Sequence, residues 1–443
     1  MPRMQKGDPR LIRAWVMYDW ANSAYSLTIT SAIFPIYYAA ITFLDGRDLV
    51  LEKYGVPAIS LQSYTLSAGF LLVAAIVPLL SGIADHRGNK KNYLKFFCYL
   101  GAASCAGLFF FTWENLWLGL LMFMLACVGF SGSLIFYDAY LPEIAEPDDH
   151  DRVSAKGYSM GYIGSVILLV INLLMVMQPH WFGIPDRAGL PARLSFLTVG
   201  IWWAGWAQVT FRRLPDTRVP KEAKGNTLTV GYRELRRVWR EMISLPRLRR
   251  FLTAFFLFNM GVQTVMYLAV TYAKQEIKEA DGSAIGDGSL IVSILLIQLV
   301  AAAGALLFVR LSRRFGNIAA LIIGLVVWAF ICLAAWKIQT TQAFYVLASF
   351  VGLVMGGTQA LSRSTYAKLL PETADHASYF SFYDVSFYLA TVLGTLAFGL
   401  VNQATGDIRN TIIAIGSFFV AGALLLLRVP RTAGIVPSTG GAR

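Results

Sequence analysis

Four charged side chains stand inside long apolar runs of the sequence, where a lipid-facing helix would carry none. They are Asp19, within the stretch "VMYDWANSAYSLTI", and Asp138, Arg363 and Asp384. A carboxylate in apolar surroundings can bind and release a proton, and a nearby arginine can neutralise it in an ion pair. These residue types therefore point to buried charges that pair, separate or titrate.

The elements that must position these charges are membrane spans. Of the 443 residues, 56% are hydrophobic and only 14% are charged, a balance that one water-soluble core could not hide. Runs of about 17 to 25 apolar residues predict an all-α integral membrane protein with twelve transmembrane helices. The first run lacks a cleavage site, so we interpret it as a retained span. The predicted spans are 14–43, 61–83, 93–112, 117–140, 157–178, 194–211, 249–272, 289–309, 318–336, 343–366, 379–402 and 410–427.

The net charge of +12 is explained by topology, so it requires no nucleic-acid partner. With the N-terminus in the cytoplasm, 28 of the 38 Lys and Arg residues fall in cytoplasmic segments and 8 on the opposite side. Basic residues accumulate on the cytoplasmic side of membrane proteins. We therefore expect a multi-pass membrane protein with both termini in the cytoplasm.

The two halves of the chain repeat each other. "ADHRGNKK" at 84–91 and "SRRFGNIA" at 312–319 follow equivalent spans, as do "LPEIA" at 141–145 and "LPETA" at 370–374. Two landmarks at nearly one offset predict two pseudo-symmetric six-helix bundles, the parallel-repeat architecture of secondary transporters. The predicted domains are 1–211, a cytoplasmic linker at 212–248, and 249–443.

The linker contains the predicted amphipathic helix "TVGYRELRRVWREMISL". Its apolar residues fall on one helical face and its arginines largely on the other. Such a helix lies at an anionic membrane surface, and docking on a protein is the alternative.

At this point the sequence resembles the major facilitator superfamily. The signature loop of that superfamily corresponds to "SGIADHRGNKK", with Ser81 at a usual glycine and His86 at a usual arginine. Three further stretches resemble its vacuole effluxer branch, the autophagy-related amino-acid exporters and their bacterial relatives. These stretches are "YDWANSAY" at 18–25, "GGTQALSRSTYAKLLPE" at 356–372 and "SFYDVSFYLATVLGTLAFGLVNQATGDIR" at 381–409. The resemblance implies secondary transport, proton-linked or otherwise, and the fungal members are associated with amino-acid efflux.

Depth separates two roles for the buried charges. At 1.5 Å per residue, Asp19 and Asp384 lie about 8 Å inside the cytoplasmic ends of their spans, and Arg363 about 5 Å. A substrate clamp at the midplane would lie about 15 Å deep. We therefore expect Asp19, Asp138, Arg363 and Asp384 to form a cytoplasmic gate, with Asp19 or Asp384 able to couple it to a proton. The alternative is that the acids only cap helix ends or reach water.

The signature loop supplies a fifth gate residue, Asp85. The resemblance implies that Asp85 interacts with the cytoplasmic start of the eleventh helix, where a carboxylate is stabilised by the helix dipole. The alternative is a solvated turn. Its counterpart in the repeat is Arg313, which has the opposite charge.

Neutral polar residues nearer the midplane are the candidates for the substrate cavity. Asp19 begins a polar stripe on the first helix, and amides recur in several other spans. These groups suit a polar or zwitterionic solute, although interhelical hydrogen bonding is the alternative for each amide. The predicted cavity residues are Asn22, Ser26, Thr30, Asn172, Asn259, Gln263, Gln298 and Gln359.

The competing functions are an integral membrane enzyme and a non-transporting receptor. The sequence contains no nucleophile, zinc or phosphate-loop motif, and "EPDDHD" at 146–151 is interpreted as a solvated loop rather than a metal site. The four cysteines fall in apolar runs and predict neither disulfides nor thiolate ligands. Alternating access explains the repeat, which an enzyme does not. The sequence thus predicts a monomeric, proton-coupled transporter of a small solute, with no cofactor and no metal.

Overall fold

The computed structural model describes residues 6–185, 189–215, 227–405 and 408–430. The described part is almost entirely helical, apart from a two-residue antiparallel pair of strands, β1 Phe43–Leu44 and β2 Arg47–Asp48. The helices of the first half are α1 Pro9–Ala24, α2 Ile33–Thr42, α3 Leu49–Tyr54, α4 Ala58–Arg87, α5 Lys90–Gly107, α6 Leu116–Asp138, α7 Leu141–Ile144, α8 His150–Met177 and α9 Leu190–Arg213. Those that follow are α10 Thr227–Ser244, α11 Pro246–Glu276, α12 Asp287–Phe315, α13 Asn317–Lys337, α14 Thr341–Leu369, α15 His376–Thr405 and α16 Ile408–Leu427.

The first predicted span is one helical rod with an unusual centre. Its ends are α1 and α2, and the eight residues between them, Tyr25–Ala32, form a π-helix. The Asp8 side chain begins the rod by accepting a hydrogen bond from the Arg10 backbone N–H. Long π-helical stretches are rare and are found mostly at functional sites.

The number of membrane spans differs slightly from the prediction. Within the described residues, ten helical segments are long and apolar enough to cross a membrane, and α11, which bends between Tyr267 and Ala269, makes eleven. The predicted span 194–211 corresponds to α9, which does not meet this test of length and composition. At 24 residues α9 is about 36 Å long, enough to span, but its ends carry basic residues and its centre is rich in tryptophan.

The repeat predicted from the sequence is confirmed by the way the helices pack. In the first half, α1 packs on α8 and α9, α5 packs on α6 and α9, and α4 packs on α6. In the second half, α11 packs on α15 and α16, α13 packs on α14 and α16, and α12 packs on α14. Each pairing in the second half joins the two helices that lie six spans after those of a pairing in the first half. This arrangement is the major facilitator fold.

Contacts between the halves follow the same symmetry. Helix α4 packs on α15, and α8 packs on α12 and α14. Glycines permit close approach within the second half, because a Cβ added to Gly352 or Gly356 of α14 would collide with the backbone of α12. The two halves therefore meet along two sets of helices and leave a central space between them.

The amphipathic helix predicted in the linker is present as α10, but its apolar face lies on the protein. Val238 and Met242 are buried, and α10 packs on α4 and contacts α11 and α15. Of the large apolar side chains on α10, Tyr232, Trp239 and Ile243 remain exposed. The linker segment 216–226 lies outside the described residues.

Candidate functional site

A central cavity between the halves is lined by helices of both. The centre of a water molecule can occupy about 200 Å³ of it, whereas one water needs only about 10 to 15 Å³. The cavity therefore has room for a small solute. The predicted residues that line it are Asp19, Asn22, Ser26, Thr30, Asp138, Gln263, Gln298, Gln359, Arg363 and Asp384.

The π-helical segment contributes one wall of the cavity. Tyr25, Ser26, Thr30 and Ser31 all line it, although they span nearly two helical turns. A π-helix is wider than an α-helix and offsets successive side chains differently, so it can turn more polar groups to one side. Ser26 and Ser31 donate hydrogen bonds to nearby backbone carbonyls of the same rod, which satisfies groups that a regular helix would pair.

At the floor of the cavity, Arg363 of the second half joins two acids of the first half. Its Nη2 lies 3.1 Å from Asp19 Oδ2, and its Nη1 lies 3.0 Å from Asp138 Oδ1. Arg363 also donates to the hydroxyl and to the backbone carbonyl of Ser154, each at 3.0 Å. The guanidinium is only 1% exposed, so this cluster of buried charges connects α14 with α1, α6 and α8.

Aromatic rings enclose the same guanidinium. The ring centres of Tyr158 and Trp15 lie 4.2 Å and 4.8 Å from the Arg363 carbon Cζ. Tyr137 stacks on Trp15 and donates a hydrogen bond of 2.9 Å to Asp19. Cation–π contacts and ion pairs both strengthen where water is excluded. The cluster is therefore rigid and fully paired as long as α14 stays against the first half.

The cluster is possible because α8 approaches it closely. The glycines of α8 that allow this approach were not among the predicted site residues. A Cβ on Gly157 would collide with Asp19 and Arg363, and a Cβ on Gly161 would collide with Ser23. The spacing Gly157, Gly161, Gly164 is a small-residue stripe of the kind that brings membrane helices together. In the sequence, this spacing of glycines was the signal that could have predicted the close approach of α8.

Asp85 contacts the start of α15, as the resemblance implied. It accepts hydrogen bonds from the backbone N–H groups of Ala377, at 3.3 Å, and Ser378, at 2.7 Å, and from the Ser378 hydroxyl at 2.8 Å. Free N–H groups at a helix N-terminus favour a negative charge. Gly88 ends α4 in the left-handed conformation, which turns the loop towards the second half.

The interpretation of "EPDDHD" as a solvated loop is wrong for Asp151. This residue is 6% exposed and lies in the first turn of α8. It accepts hydrogen bonds from Asn317 and Ser364, at 2.8 and 2.7 Å, and pairs with Lys368 at 2.7 Å. Packing of α8 on α12 and α14 buries a carboxylate that the local sequence alone would leave in water.

A second charged contact that the sequence did not reveal connects the halves near Asp85, through Glu143 of the first half and His376 of the second. Lys90 lies 2.5 Å from Glu143, and His376 at the start of α15 lies 3.0 Å from the same carboxylate. Lys90 also lies 4.0 Å from the centre of the Tyr140 ring. Glu143 belongs to the "LPEIA" landmark, whose repetition was the only signal for it.

We call the end of the bundle that carries Asp85, Asp151, Glu143 and Arg363 the closed end. Ion pairs and hydrogen bonds cross between the two halves there, and α10 covers part of it.

Two predicted cavity residues lie outside the cavity lining. Asn172 accepts a hydrogen bond of 2.8 Å from Thr198 within the first half. Asn259 accepts a weak one from the cavity residue Gln263 at 3.3 Å, so each amide forms interhelical or helix-internal bonds.

The structural comparison defines the class of protein. The crystal structure of the E. coli fucose:proton symporter FucP superposes with a TM-score of 0.69, covering 96% of this chain and 99% of that chain, at 14% sequence identity. Two related six-helix halves around one polar cavity, together with this likeness, define the fold of a major facilitator membrane transporter.

The sequence comparisons define the family. The family description "Vacuole effluxer Atg22 like" matches residues 7–151 and 143–437, and the chain belongs to this family. It is 31% identical over 428 residues to the uncharacterized MFS-type transporter YxiO of Bacillus subtilis, covering 96% of both chains. It is 26% identical over 459 residues to autophagy-related protein 22-1 of Phaeosphaeria nodorum, covering 86% of this chain and 78% of that protein.

Proposed function

We propose that this protein is a secondary transporter that moves a small polar or zwitterionic solute by alternating access. The observation that carries the proposal is the buried pairing of Arg363 in the second half with Asp19 and Asp138 in the first, at the floor of the cavity. The pairing lies where the cavity meets the closed end, a position from which it can control passage.

The chemistry of the pairing suits a gate. While the halves are in contact, each charge has a partner and the groups need no water. When α14 moves away from α1, the same charges can regain water from the newly opened passage, which offsets the loss of their mutual attraction. The state in which the halves are in contact and the state in which they have moved apart therefore differ by only a small free energy, as a transporter requires.

The distribution of basic residues supports placing the closed end in the cytoplasm. On that orientation both termini are cytoplasmic, the membrane is the bacterial inner membrane, and the conformation described here is outward-facing. We further propose that the protein works as a monomer in the bilayer, because one chain supplies both halves of the cavity.

Proton coupling is part of the proposal. Protonation of Asp19 would remove one negative charge from the Arg363 cluster and weaken the contact between the halves, and Asp384 faces the same cavity. Amino acids are the first candidate solutes, because the chain belongs to a family described as vacuole effluxers. Efflux is the proposed direction.

Flux through proteoliposomes tests the proposal. Vesicles loaded with radiolabelled amino acids should release them faster when they contain the protein, and faster still with an imposed proton gradient than with an uncoupler. Arg363→Gln should lower the rate at least tenfold, while the exposed control Asp281→Asn should match the wild type. Equal release from protein-containing and empty vesicles across all twenty amino acids would remove them as substrates, and proton-independent flux would remove the coupling.

A further inference from the structure

The three acids at the floor of the cavity are not equivalent. Asp19 and Asp138 both pair with Arg363. Asp384 lines the same cavity and is only 4% exposed, yet within the part of the chain that the structure describes no hydrogen bond or ion pair reaches its carboxylate. Its Oδ2 atom is fully buried and has no partner.

The charges at this site leave Asp384 without a cation. Arg363 is the only basic side chain in the described lining of the cavity, and it is already bonded to two carboxylates. Asp384 lies close enough to Asp138 and Arg363 to interact with both electrostatically. A buried carboxylate without a partner is costly, so the site favours an incoming positive group.

Aromatic side chains around Asp384 suit an organic cation. Tyr158, Tyr383 and Tyr388 line the cavity with it, and Tyr158 already packs its ring face on the Arg363 guanidinium. Tyr388 is fixed by a hydrogen bond of 3.0 Å from its hydroxyl to the Ser131 backbone carbonyl. Ring faces attract ammonium groups, most strongly where water is excluded.

Two hydrogen-bond donors in the first half of the chain line the same cavity, and neither has a hydrogen-bond partner among the residues that the structure describes. They are the amide nitrogen of Asn22 and the hydroxyl of Tyr25, both buried. Unpaired buried donors favour an acceptor group such as a carboxylate. The first half thus offers donors, and the second half offers an anion, to one occupant of the cavity.

We propose that Asp384 binds the ammonium group of the transported solute, and that Asn22 and Tyr25 bind its carboxylate or another acceptor. The solute is therefore a primary or substituted ammonium compound, with α-amino acids as the simplest zwitterions of this class. This inference rests on the proposed function and specifies the substrate for it. A zwitterion held in this way connects the two halves of the chain, as the substrate of an alternating-access transporter must.

Binding by the full-length protein in lipid nanodiscs tests the assignment. The probes are leucine, phenylalanine and lysine, each compared with the acid that lacks its α-ammonium group and the amine that lacks its carboxylate. Calorimetric titration of the wild type should show binding of at least one amino acid and its amine, with the corresponding ammonium-free acid at least about tenfold weaker.

Variants then assign the preference to particular residues. Asp384→Asn should weaken binding of the ammonium compounds at least tenfold and abolish the preference over the ammonium-free acid, whereas Asp384→Glu should retain part of it. Asn22→Leu should instead reduce the advantage of the amino acid over its amine. The control Asp281→Asn removes the same charge from an exposed loop and should change neither ratio. Because a neutral side chain relieves an unpaired buried charge, Asp384→Asn should melt no lower than the wild type.

Several outcomes would overturn the assignment. They are binding of no probe at all, equal binding of the ammonium-free acids by the wild type, or an unchanged preference in Asp384→Asn. A variant that alters only the proton dependence of flux would make Asp384 a proton site and not a ligand site. Selective binding without flux would instead refute the proposed transport while the site stands. Flux with the same substrate selectivity in the wild type and in Asp384→Asn would refute the ammonium site and leave the proposed transport intact.

Discussion

Replacing Asp19 by Asn should open the closed end without unfolding the protein. Asp19 Oδ2 accepts one hydrogen bond from the Arg363 guanidinium at 3.1 Å and one from the Tyr137 hydroxyl at 2.9 Å. Asparagine keeps an acceptor oxygen in the same place but carries no charge. Both bonds are weakened, but only the bond to Arg363 crosses between the halves and is lost when α14 moves away from α1; Tyr137 belongs to the first half with Asp19 and keeps its bond.

The size of the effect follows from the bond between Asp19 and Arg363. A hydrogen bond to a charged group contributes about 1.5 to 3 kcal/mol, against about 0.5 to 1.5 kcal/mol for a neutral one. Loss of about 1 to 1.5 kcal/mol at this bond destabilises the closed end by the same amount. At 1.4 kcal/mol per tenfold change, the open population should rise roughly 5- to 12-fold.

Thiol labelling measures this population. Ala155 lies on α8 with no exposed surface, in a small cluster with Ala305 and Ala360 of the other half. We would introduce Ala155→Cys and replace all native cysteines except Cys105, which is buried within the first half and does not line the cavity. Reaction at position 155 reports opening of the closed end, and reaction at Cys105 reports unfolding.

Asp19→Asn should accelerate labelling at position 155 by the factor given above and leave Cys105 unchanged. Arg363→Gln, which strands two buried carboxylates, should accelerate it at least as much. Parallel acceleration at both cysteines would mean that the variants unfold. Unchanged labelling at position 155 in both variants would refute the idea that these charges hold the halves together.

Three further changes test other parts of the structure. Asp85→Ala removes three hydrogen bonds to the start of α15 and should destabilise the closed end by about 2 kcal/mol, which accelerates labelling there roughly 30-fold. A wild-type labelling rate would contradict a gate role for Asp85. In Gly82→Val, the added Cβ would lie 2.7 Å from the Gly231 carbonyl oxygen of α10, so overpacking should cost about 1 to 3 kcal/mol and lower the melting temperature. A wild-type melting curve would mean that α10 does not dock on α4. Asn172→Leu should leave flux within twofold of the wild type, since Thr198 keeps a second acceptor on its own helix; a large loss of flux would return Asn172 to the cavity.

Much of the fold could be predicted because the relevant signals are local or repeat along the chain. The apolar runs are long enough to identify helices, and the offset between "LPEIA" and "LPETA" shows a duplication whose helix pairings the structure repeats. Span ends were less certain, and α9 lacks the apolar composition that the other spans show. Near the middle of the bundle, amides with the same apparent depth proved to have different partners.

The closed end shows where local pattern fails. Asp151 lies in a short polar stretch that resembles a solvated turn, and Glu143 lies nearby in "LPEIA", yet each has a side-chain partner in the other half. Whether a polar helix end meets water depends on the neighbouring helix, which can be more than 200 residues away in the chain. No periodicity within the stretch itself encodes that neighbour.

The sequence by itself determined that Asp19, Asp138, Arg363 and Asp384 lie inside apolar helices, where an isolated charge is costly and therefore points to function. It also determined that they would gather near one end of the bundle. Only the tertiary structure decided that Arg363 pairs with the first two acids and leaves Asp384 facing the cavity. The physical reason is geometric: hydrogen-bond partners are chosen by the rotation and crossing of packed helices, over distances of a few ångströms that residue spacing cannot specify.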